Sequence, residues 1–426
     1  MQDLKTLSIG GTNNVAREDI VVGLDIGTSK IAAIIGNTWQ GDTEKIEIIG
    51  VGHAPSDGLR KGIVVDVDLT TAAIRQSIAD AELMAGIEIG SVFAGIAGGH
   101  ITGQTSQATI AVAGAGHEIT QVDVDRAISV AEAVSIPAER EVLHVIPQGF
   151  IVDNQDGIKD PVGMSGIRLD AYVHIVTGAV ASALNLVKSI NNAGITVENI
   201  VLEPIASADA VLSNEEREIG VVLADMGGGT TDIVVYKDGA LHHTSVLALG
   251  GDHVTNDIAT VLRMTPQEAE RLKLSRGCAC VDLVDQRDTI PISRVGGARR
   301  PSFLQVRDFA EIIQYRMEEI LSLIHQEIIK SHVPVPAGVV LTGGTALFDG
   351  LLELAERTIP YPIRIGYPRP LKGLTDRVNS PIYATGVGLV IYGAMKRYSE
   401  PQRTFIKGNL FDQILKRMKD WFRDYF

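Results

Sequence analysis

The chain has 426 residues, 45% of them hydrophobic and 21% charged, with a formal net charge of −14. That length exceeds one small core and predicts two or more lobes of ordinary globular balance. The acidic excess argues against nucleic acid as the main partner, and no apolar run is long enough to span a bilayer.

Residues 1–17 lack the compact apolar core of a signal peptide and read as a flexible tail, so a cytoplasmic location is expected. Residues 21–31, VVGLDIGTSKI, form an apolar strand running into a turn, with further strands at Lys30–Ile35 and Lys45–Gly52. That is an antiparallel meander. A helix follows from about Leu69 to Met84, with Ile74, Ile78, Ala81 and Ala85 at helical spacing and Asp68 or Thr70 as its cap. From Ser91 to about Ile167 the texture changes to a strand, a Gly/Ala-rich strand pair, a helix near Val122–Ala133 and long strands. This predicts a separate α+β insert over residues 87–167. Ala171–Thr177 then resumes a buried strand and Ala179–Ala193 a helix, so the first lobe is expected over 18–86 and 168–204.

A second meander begins at Ile219. Residues 221–233 read VVLADMGGGTTDI, and Asp225 stands 200 positions after Asp25. A largely helical stretch to about Val333 contains a polar loop at Gln286–Pro301. Gly338–Leu341 is a strand that runs into Gly343-Gly344, and residues 381–397 read as a Gly-rich helix. The second lobe is expected over 205–245 and 332–396, with a smaller part over 246–331. Residues 397–408, around Pro401, read as a linker, and 409–426 as an amphipathic helix.

An aspartate followed by a Gly/hydroxyl turn suits a phosphate. Glycines let backbone N–H groups converge on anionic oxygens, and Thr28, Ser29, Thr230 and Thr231 add donors. Asp25 and Asp225 would repel a phosphate directly, so Mg²⁺ or its waters are expected between them. The Gly-Lys of a P-loop never occurs, and no GxGxxG fingerprint follows either strand. Cys278 and Cys280, separated by Ala279, bridge poorly and lack the second pair of a zinc site; free thiols in a reducing compartment are expected. His242-His243 lacks metal-site spacing.

The ordered series DIGTSK, LEPIASADA, DMGGGTTD, LTGGTALFDGL and SPIYATGVGL resembles the actin-like ATPase superfamily over about residues 19–396. Within it, RKGIVVDVD, AERLKLSRGCA, the position of the insert and the terminal helix resemble the FtsA family of bacterial division proteins. The resemblance implies an α/β, actin-like (RNase H-like) duplicated two-lobe ATPase fold with an inserted α+β domain, and ATP with Mg²⁺ in the cleft. It implies phosphate and metal contacts from Asp25, Gly27, Thr28, Ser29 and Lys30, and from Asp225, Gly227, Gly228, Gly229, Thr230 and Thr231. Gly250 and Gly251 would approach the nucleotide, Glu270 and Lys273 the ribose and base, and Gly343, Gly344 and Thr345 the adenosine. Glu203 would position the attacking water. The resemblance leaves hydrolysis open and implies a cytoskeletal adaptor more than a metabolic enzyme. It implies filaments, the FtsZ C-terminal peptide, later division proteins and membrane lipids as partners, at the cytoplasmic face of the division site. The basic loop with Arg294, Arg299 and Arg300 is a candidate receiver of an acidic peptide.

In the last segment Leu410, Phe411, Ile414, Leu415, Met418, Trp421, Phe422 and Tyr425 fall on one helical face, with Lys416, Arg417, Lys419 and Arg423 on or beside the polar side. That composition suits a bilayer interface. The alternatives are a small-molecule kinase, for which no convincing aspartate base stands in the expected context, and a pilus-assembly scaffold, which would not need the terminal helix.

Overall fold

The computed structural model describes residues 20–39, 42–113, 116–285, 287–292 and 302–399. The chain opens with strands β1 (Ile20–Ile26), β2 (Lys30–Trp39) and β3 (Asp42–Pro55). A small hairpin, β4 (Leu59–Arg60) and β5 (Ile63–Val64), leads to helix α1 (Val67–Ala85) and strand β6 (Ser91–Ile96). Next come β7 (Thr102–Ala111), α2 (Gln121–Glu132), β8 (Arg140–Val152), β9 (Gln155–Ile158) and β10 (Arg168–Ala179). Helix α3 (Val180–Asn192), strand β11 (Thr196–Leu202) and helices α4 (Glu203–Val211) and α5 (Asn214–Ile219) complete the first half. The second half runs through β12 (Val221–Met226), β13 (Thr231–Lys237), β14 (Ala240–Leu247), α6 (Gly251–Leu262) and α7 (Pro266–Arg276). A hairpin of β15 (Thr289–Ile292) and β16 (Ser302–Gln305) precedes the long helix α8 (Val306–Ser331). Strand β17 (Val339–Thr342), helix α9 (Leu351–Thr358), strands β18 (Ile363–Ile365) and β19 (Lys372–Gly373), and helices α10 (Thr375–Val378) and α11 (Ala384–Ser399) end the described chain.

The first main sheet has the order β11-β6-β1-β2-β3-β19, the second β14-β13-β12-β17-β18. Leaving out β19, the two orders match strand for strand. β1 and β12 each pair antiparallel with the next strand and parallel with a later one, β6 and β17 respectively. The duplicated α/β fold expected from the repeated motif is therefore present. Both motif strands lie mid-sheet, buried on both faces, which is why they read as continuous apolar runs instead of alternating ones. Val21, Leu24, Val222 and Leu223 are all essentially inaccessible.

The cap of α1 is Asp66, not Asp68 or Thr70. Asp66 Oδ1 accepts from Leu69 N–H at 2.9 Å, while Thr70 turns its hydroxyl back onto the Asp66 carbonyl. Helices α4 and α11 lie between the two sheets, in a core with Val21 and Phe93 from one and Val221 and Leu223 from the other. They cross so closely that a Cβ on Gly388 would sit 1.8 Å from the Ala206 carbonyl oxygen.

The insert boundaries differ from 87 and 167. Strand β6 hydrogen-bonds within the first-lobe sheet, and β10 is a central strand of a separate sheet, β7-β10-β8-β9. The apolar run at Ala171–Thr177 therefore belongs to the insert. It is buried on both faces because Val173 and Ile175 pack on α2 while Val176 packs toward Leu202. The tail 1–17, most of the linker 397–408 and the helix 409–426 lie outside the described residues.

Candidate functional site

The two motif turns have the same internal bond. Gly27 N–H donates to the Lys30 carbonyl at 3.0 Å, and Gly227 N–H donates to the Thr230 carbonyl at 2.9 Å. The turns face each other across a cleft. A Cβ on Gly228 would sit 1.9 Å from Ser29 Oγ, and one on Gly229 2.5 Å from Thr28 Oγ1. Only glycine permits that approach. Ser29 Oγ donates to Asp252 Oδ1 of α6 at 3.4 Å, and Gly62 N–H, from the β4–β5 hairpin, donates to Thr28 Oγ1 at 3.0 Å.

Four carboxylates gather at the inner end: Asp25, Glu203, Asp225 and Asp232, all lining one cavity of about 510 Å³. Lys30 Nζ lies 2.8 Å from Asp25 Oδ2. Asp225 Oδ2 accepts from Ser207 of α4 at 2.5 Å and Thr385 of α11 at 3.1 Å, so both connecting helices hold it. Asp232, the cross-strand partner of Asp225, accepts from Thr230 at 2.9 Å through Oδ2. Its Oδ1 is buried with no hydrogen-bond partner among the described residues. Burial, with help from Asp225, pushes the Asp232 carboxyl up to about 7. Burial also raises Glu203 well above the usual range, reinforced by Asp25, Asp232 and Asp225 and opposed by Lys30. Asp225 is raised by burial and by Asp25, against its two hydroxyl donors. Such a cluster is short of positive charge, and a cation would relieve it. Gly95 of β6 leaves the room that Glu203 occupies, for a Cβ there would be 2.8 Å from Glu203 Cγ. Among the described residues, no group of three or more His, Cys, Asp and Glu side chains is arranged to hold a metal directly.

The second-lobe wall is built on the N-terminus of α6. Gly251 N–H donates to the Gly227 carbonyl at 3.0 Å and Asp252 N–H to that of Gly228 at 2.8 Å. Lys273 Nζ bonds the Gly251 carbonyl at 3.1 Å, Thr255 Oγ1 at 2.8 Å and Glu270 Oε2 at 2.6 Å. Thr345 Oγ1 donates to the Gly227 carbonyl at 2.8 Å. Gly343 has φ 85°, and a Cβ there would be 2.4 Å from Asp225 Oδ1. Leu274, Leu347, Phe348 and Ile382 give the outer end an apolar lining.

Asp25, Gly27–Lys30, Glu203, Asp225, Gly227–Thr230, Gly251, Glu270, Lys273 and Gly343–Thr345 all line this cavity. Gly250 and Thr231 do not. A Cβ on Gly250 would meet the Gly227 carbonyl oxygen at 2.5 Å, so Gly250 is a buttress behind the turn. Thr231 is buried and donates to the Leu249 carbonyl. Sequence reasoning missed Asp232, Ser207 and Thr385. The signal for Asp232 was its place at the foot of the return strand; Ser207 and Thr385 showed only as hydroxyls in otherwise apolar helices. Cys278 and Cys280 are free and buried. Arg294, Arg299 and Arg300 lie outside the described residues, as do Leu410, Phe411, Ile414, Leu415, Lys416, Arg417, Met418, Lys419, Trp421, Phe422, Arg423 and Tyr425.

The family model of the cell division protein FtsA matches residues 222–388, and that of the SHS2 domain inserted in FtsA matches residues 98–177. The cell division protein FtsA of Pseudomonas aeruginosa is 42% identical over 415 residues, covering 96% of this chain and 98% of its own. The chain belongs to the FtsA family of cell division proteins. The SHS2 match falls on the β7-β10-β8-β9 unit, in agreement with the sheet pairing. Among solved structures, the PilM–PilN type IV pilus biogenesis complex gives a TM-score of 0.64 at 15% identity, covering 88% of this chain and 98% of that one. MreB5 of Spiroplasma citri bound to ADP gives 0.52 at 14% identity, covering 90% and 99%. These two likenesses concern the fold alone, and they agree with the actin-like duplicated architecture.

Proposed function

We propose that this FtsA-family chain is an ATP-binding cytoskeletal adaptor. It polymerises on the cytoplasmic face of the cell membrane, tethers the FtsZ C-terminal peptide there and helps recruit later division proteins. The observation that supports the nucleotide part is the pair of matched glycine turns over an acid-rich, cation-poor inner end, with an apolar lining outside. The cleft fits Mg²⁺–ATP. Backbone N–H groups of both turns, the Thr28, Ser29 and Thr230 hydroxyls and the Lys30 ammonium suit phosphate oxygens. Asp25 and Asp225 would hold Mg²⁺ through its waters, and the ion would neutralise phosphate charge. The unpartnered Asp232 oxygen is a further acceptor for such a water. Leu274, Phe348 and Ile382 suit an adenine face, with Glu270 at the ribose. Glu203 would orient a water. Nucleotide would favour one lobe arrangement and so bias assembly or partner binding.

The membrane part rests on residues 409–426. One amphipathic helix binds a bilayer reversibly, whereas a filament of many copies binds tightly through avidity. Co-sedimentation with anionic vesicles, with ATP and Mg²⁺, compares the full chain with one ending at Gly408. The full chain is expected to pellet with lipid and the shorter chain to stay in solution while still binding ATP. Equal lipid binding by the two would remove the anchor from this reading.

A further inference from the structure

The insert, joined to the first lobe through β6 and α3, also touches the second. One face of its sheet is covered by α2. The other face meets β14, the edge strand of the second-lobe sheet, which among the described residues has β13 as its one ladder partner. Gln148 of β8 donates through Nε2 to the Leu241 carbonyl at 3.0 Å and the His242 carbonyl at 3.2 Å. His174 Nε2 of β10 lies 3.0 Å from Thr244 Oγ1, both groups buried. Opposite them, a Cβ on Gly103 of β7 would sit 2.1 Å from Thr244 Oγ1 and 2.6 Å from His174 Nε2. Val246 packs on a small cluster with Ile101, Val176 and Leu202. The same unit reaches the start of α4, since His144 Nε2 accepts from the N–H of Leu202, the residue immediately before Glu203.

An exposed strand edge is ordinarily blunted by charge, proline or a covering element. Here the cover comes from the opposite lobe. The lobes are thus joined at this grip on the flank as well as at the α4–α11 crossing, across the cleft between Ser29 and Asp252, and where β19 pairs with β3. Swinging the lobes apart about the crossing must part the grip, because Gln148 and His174 ride with the first lobe while the Leu241 and His242 carbonyls and Thr244 ride with the second.

We propose that the insert is a cross-lobe latch: its sheet face grips β14, and its release gates the opening of the cleft and the exchange of nucleotide. The gating half rests on the nucleotide reading above; the grip does not. By reciprocity, a ligand that pulls the insert from β14 would weaken nucleotide binding by the factor by which nucleotide weakens that ligand.

The test uses the full chain with spin labels at Asp125→Cys, on the insert, and Gln267→Cys, on the second lobe. Both positions are exposed, and the native Cys278 and Cys280 are buried. The inter-label distance distribution is measured without nucleotide in the parent, in Gln148→Ala and in Gly103→Ala. Release of a fluorescent ADP analogue is measured in the same variants without labels. Both variants are expected to broaden and lengthen the distribution and to speed release about tenfold, the scale of one or two lost hydrogen bonds. An unchanged distribution in a folded Gln148→Ala protein overturns the latch, even if Gly103→Ala does not fold. A changed distribution with unchanged release keeps the grip and overturns the gating. If the parent binds no ADP analogue, the nucleotide reading and its gating fail, and the distances still decide the grip.

Discussion

Replacing Asp232 by asparagine should make the ligand-free protein more stable. Asp232 is 4% exposed, and its carboxyl is held up at about 7 against an ordinary value of 3.8. A raised acid favours the protonated folded state, so this group's contribution falls as pH climbs from 3.8 and levels off above about 7. At 1.36 kcal/mol per unit, the ionised group costs the fold at most about 4 kcal/mol at about pH 8 and about 2 kcal/mol at about pH 5. Asparagine keeps an oxygen for the Thr230 hydroxyl and removes the charge. Urea unfolding of Asp232→Asn without nucleotide should therefore show a gain of about 1–3 kcal/mol at about pH 8, after allowance for imperfect replacement, and a smaller gain at about pH 5. Adding Mg²⁺ and ATP should reverse the order, because a ligand stabilises in proportion to its affinity for the folded state. The reasoning fails if Asp232→Asn is the less stable protein at about pH 8 without ligand, or if its advantage does not grow with pH.

Burial lowers His144 and His174 to about 4 from 6.5, so both are neutral in the fold and charged in the unfolded chain below 6.5. The unfolded state then binds more protons, and stability falls as pH drops from 6.5 towards 4, by up to about 3 kcal/mol per group. Denaturation curves across that window should flatten in His144→Gln, which can still accept the Leu202 N–H; an unchanged slope would count against the assignment. Gly388→Ala should cost at least about 3 kcal/mol, read as a lowered Tm, since its Cβ meets backbone and not a side chain that can turn away. Gly228→Ala should weaken ATP binding about tenfold or more by wedging the turns apart, with partial recovery when Ser29→Ala removes the atom it strikes. No recovery in calorimetric titration would mean that the turns do not need their close approach.

The two meanders were legible because a mid-sheet strand writes its burial directly into the sequence and a phosphate turn needs glycine. Which sheet a strand joins is not written locally. Ser91–Ile96 and Ala171–Thr177 are equally apolar, but one pairs with β1 and the other with β7 and β8. Pairing partners lie far along the chain, so both insert boundaries slipped. The cap of α1 slipped for another reason: Asp66, Asp68 and Thr70 crowd the same start, and only backbone geometry decides among them. In the site, the carboxylates at strand ends could be found from pattern. The hydroxyls that hold Asp225 could not, because Ser207 and Thr385 come from two helices 178 residues apart that meet only in the fold.

The contacts between the two turns obey a rule usually met between subunits. Subtracting the 200-residue offset from the second turn, Thr28 meets the counterpart of Ser29, and Ser29 meets the counterpart of Thr28. That reciprocity is the mark of a two-fold axis, here running between halves of a single chain. Two identical Thr-Ser turns could not stand this close, because the hydroxyls of one would occupy the backbone space of the other. The pseudo-symmetric pair closes only because its members have divided the work. The first turn carries hydroxyls at 28 and 29 and a lysine at 30, while the second has bare backbone at 228 and 229 and a threonine at 230. An asymmetric ligand can therefore enter in one orientation, although the frame around it is nearly symmetric.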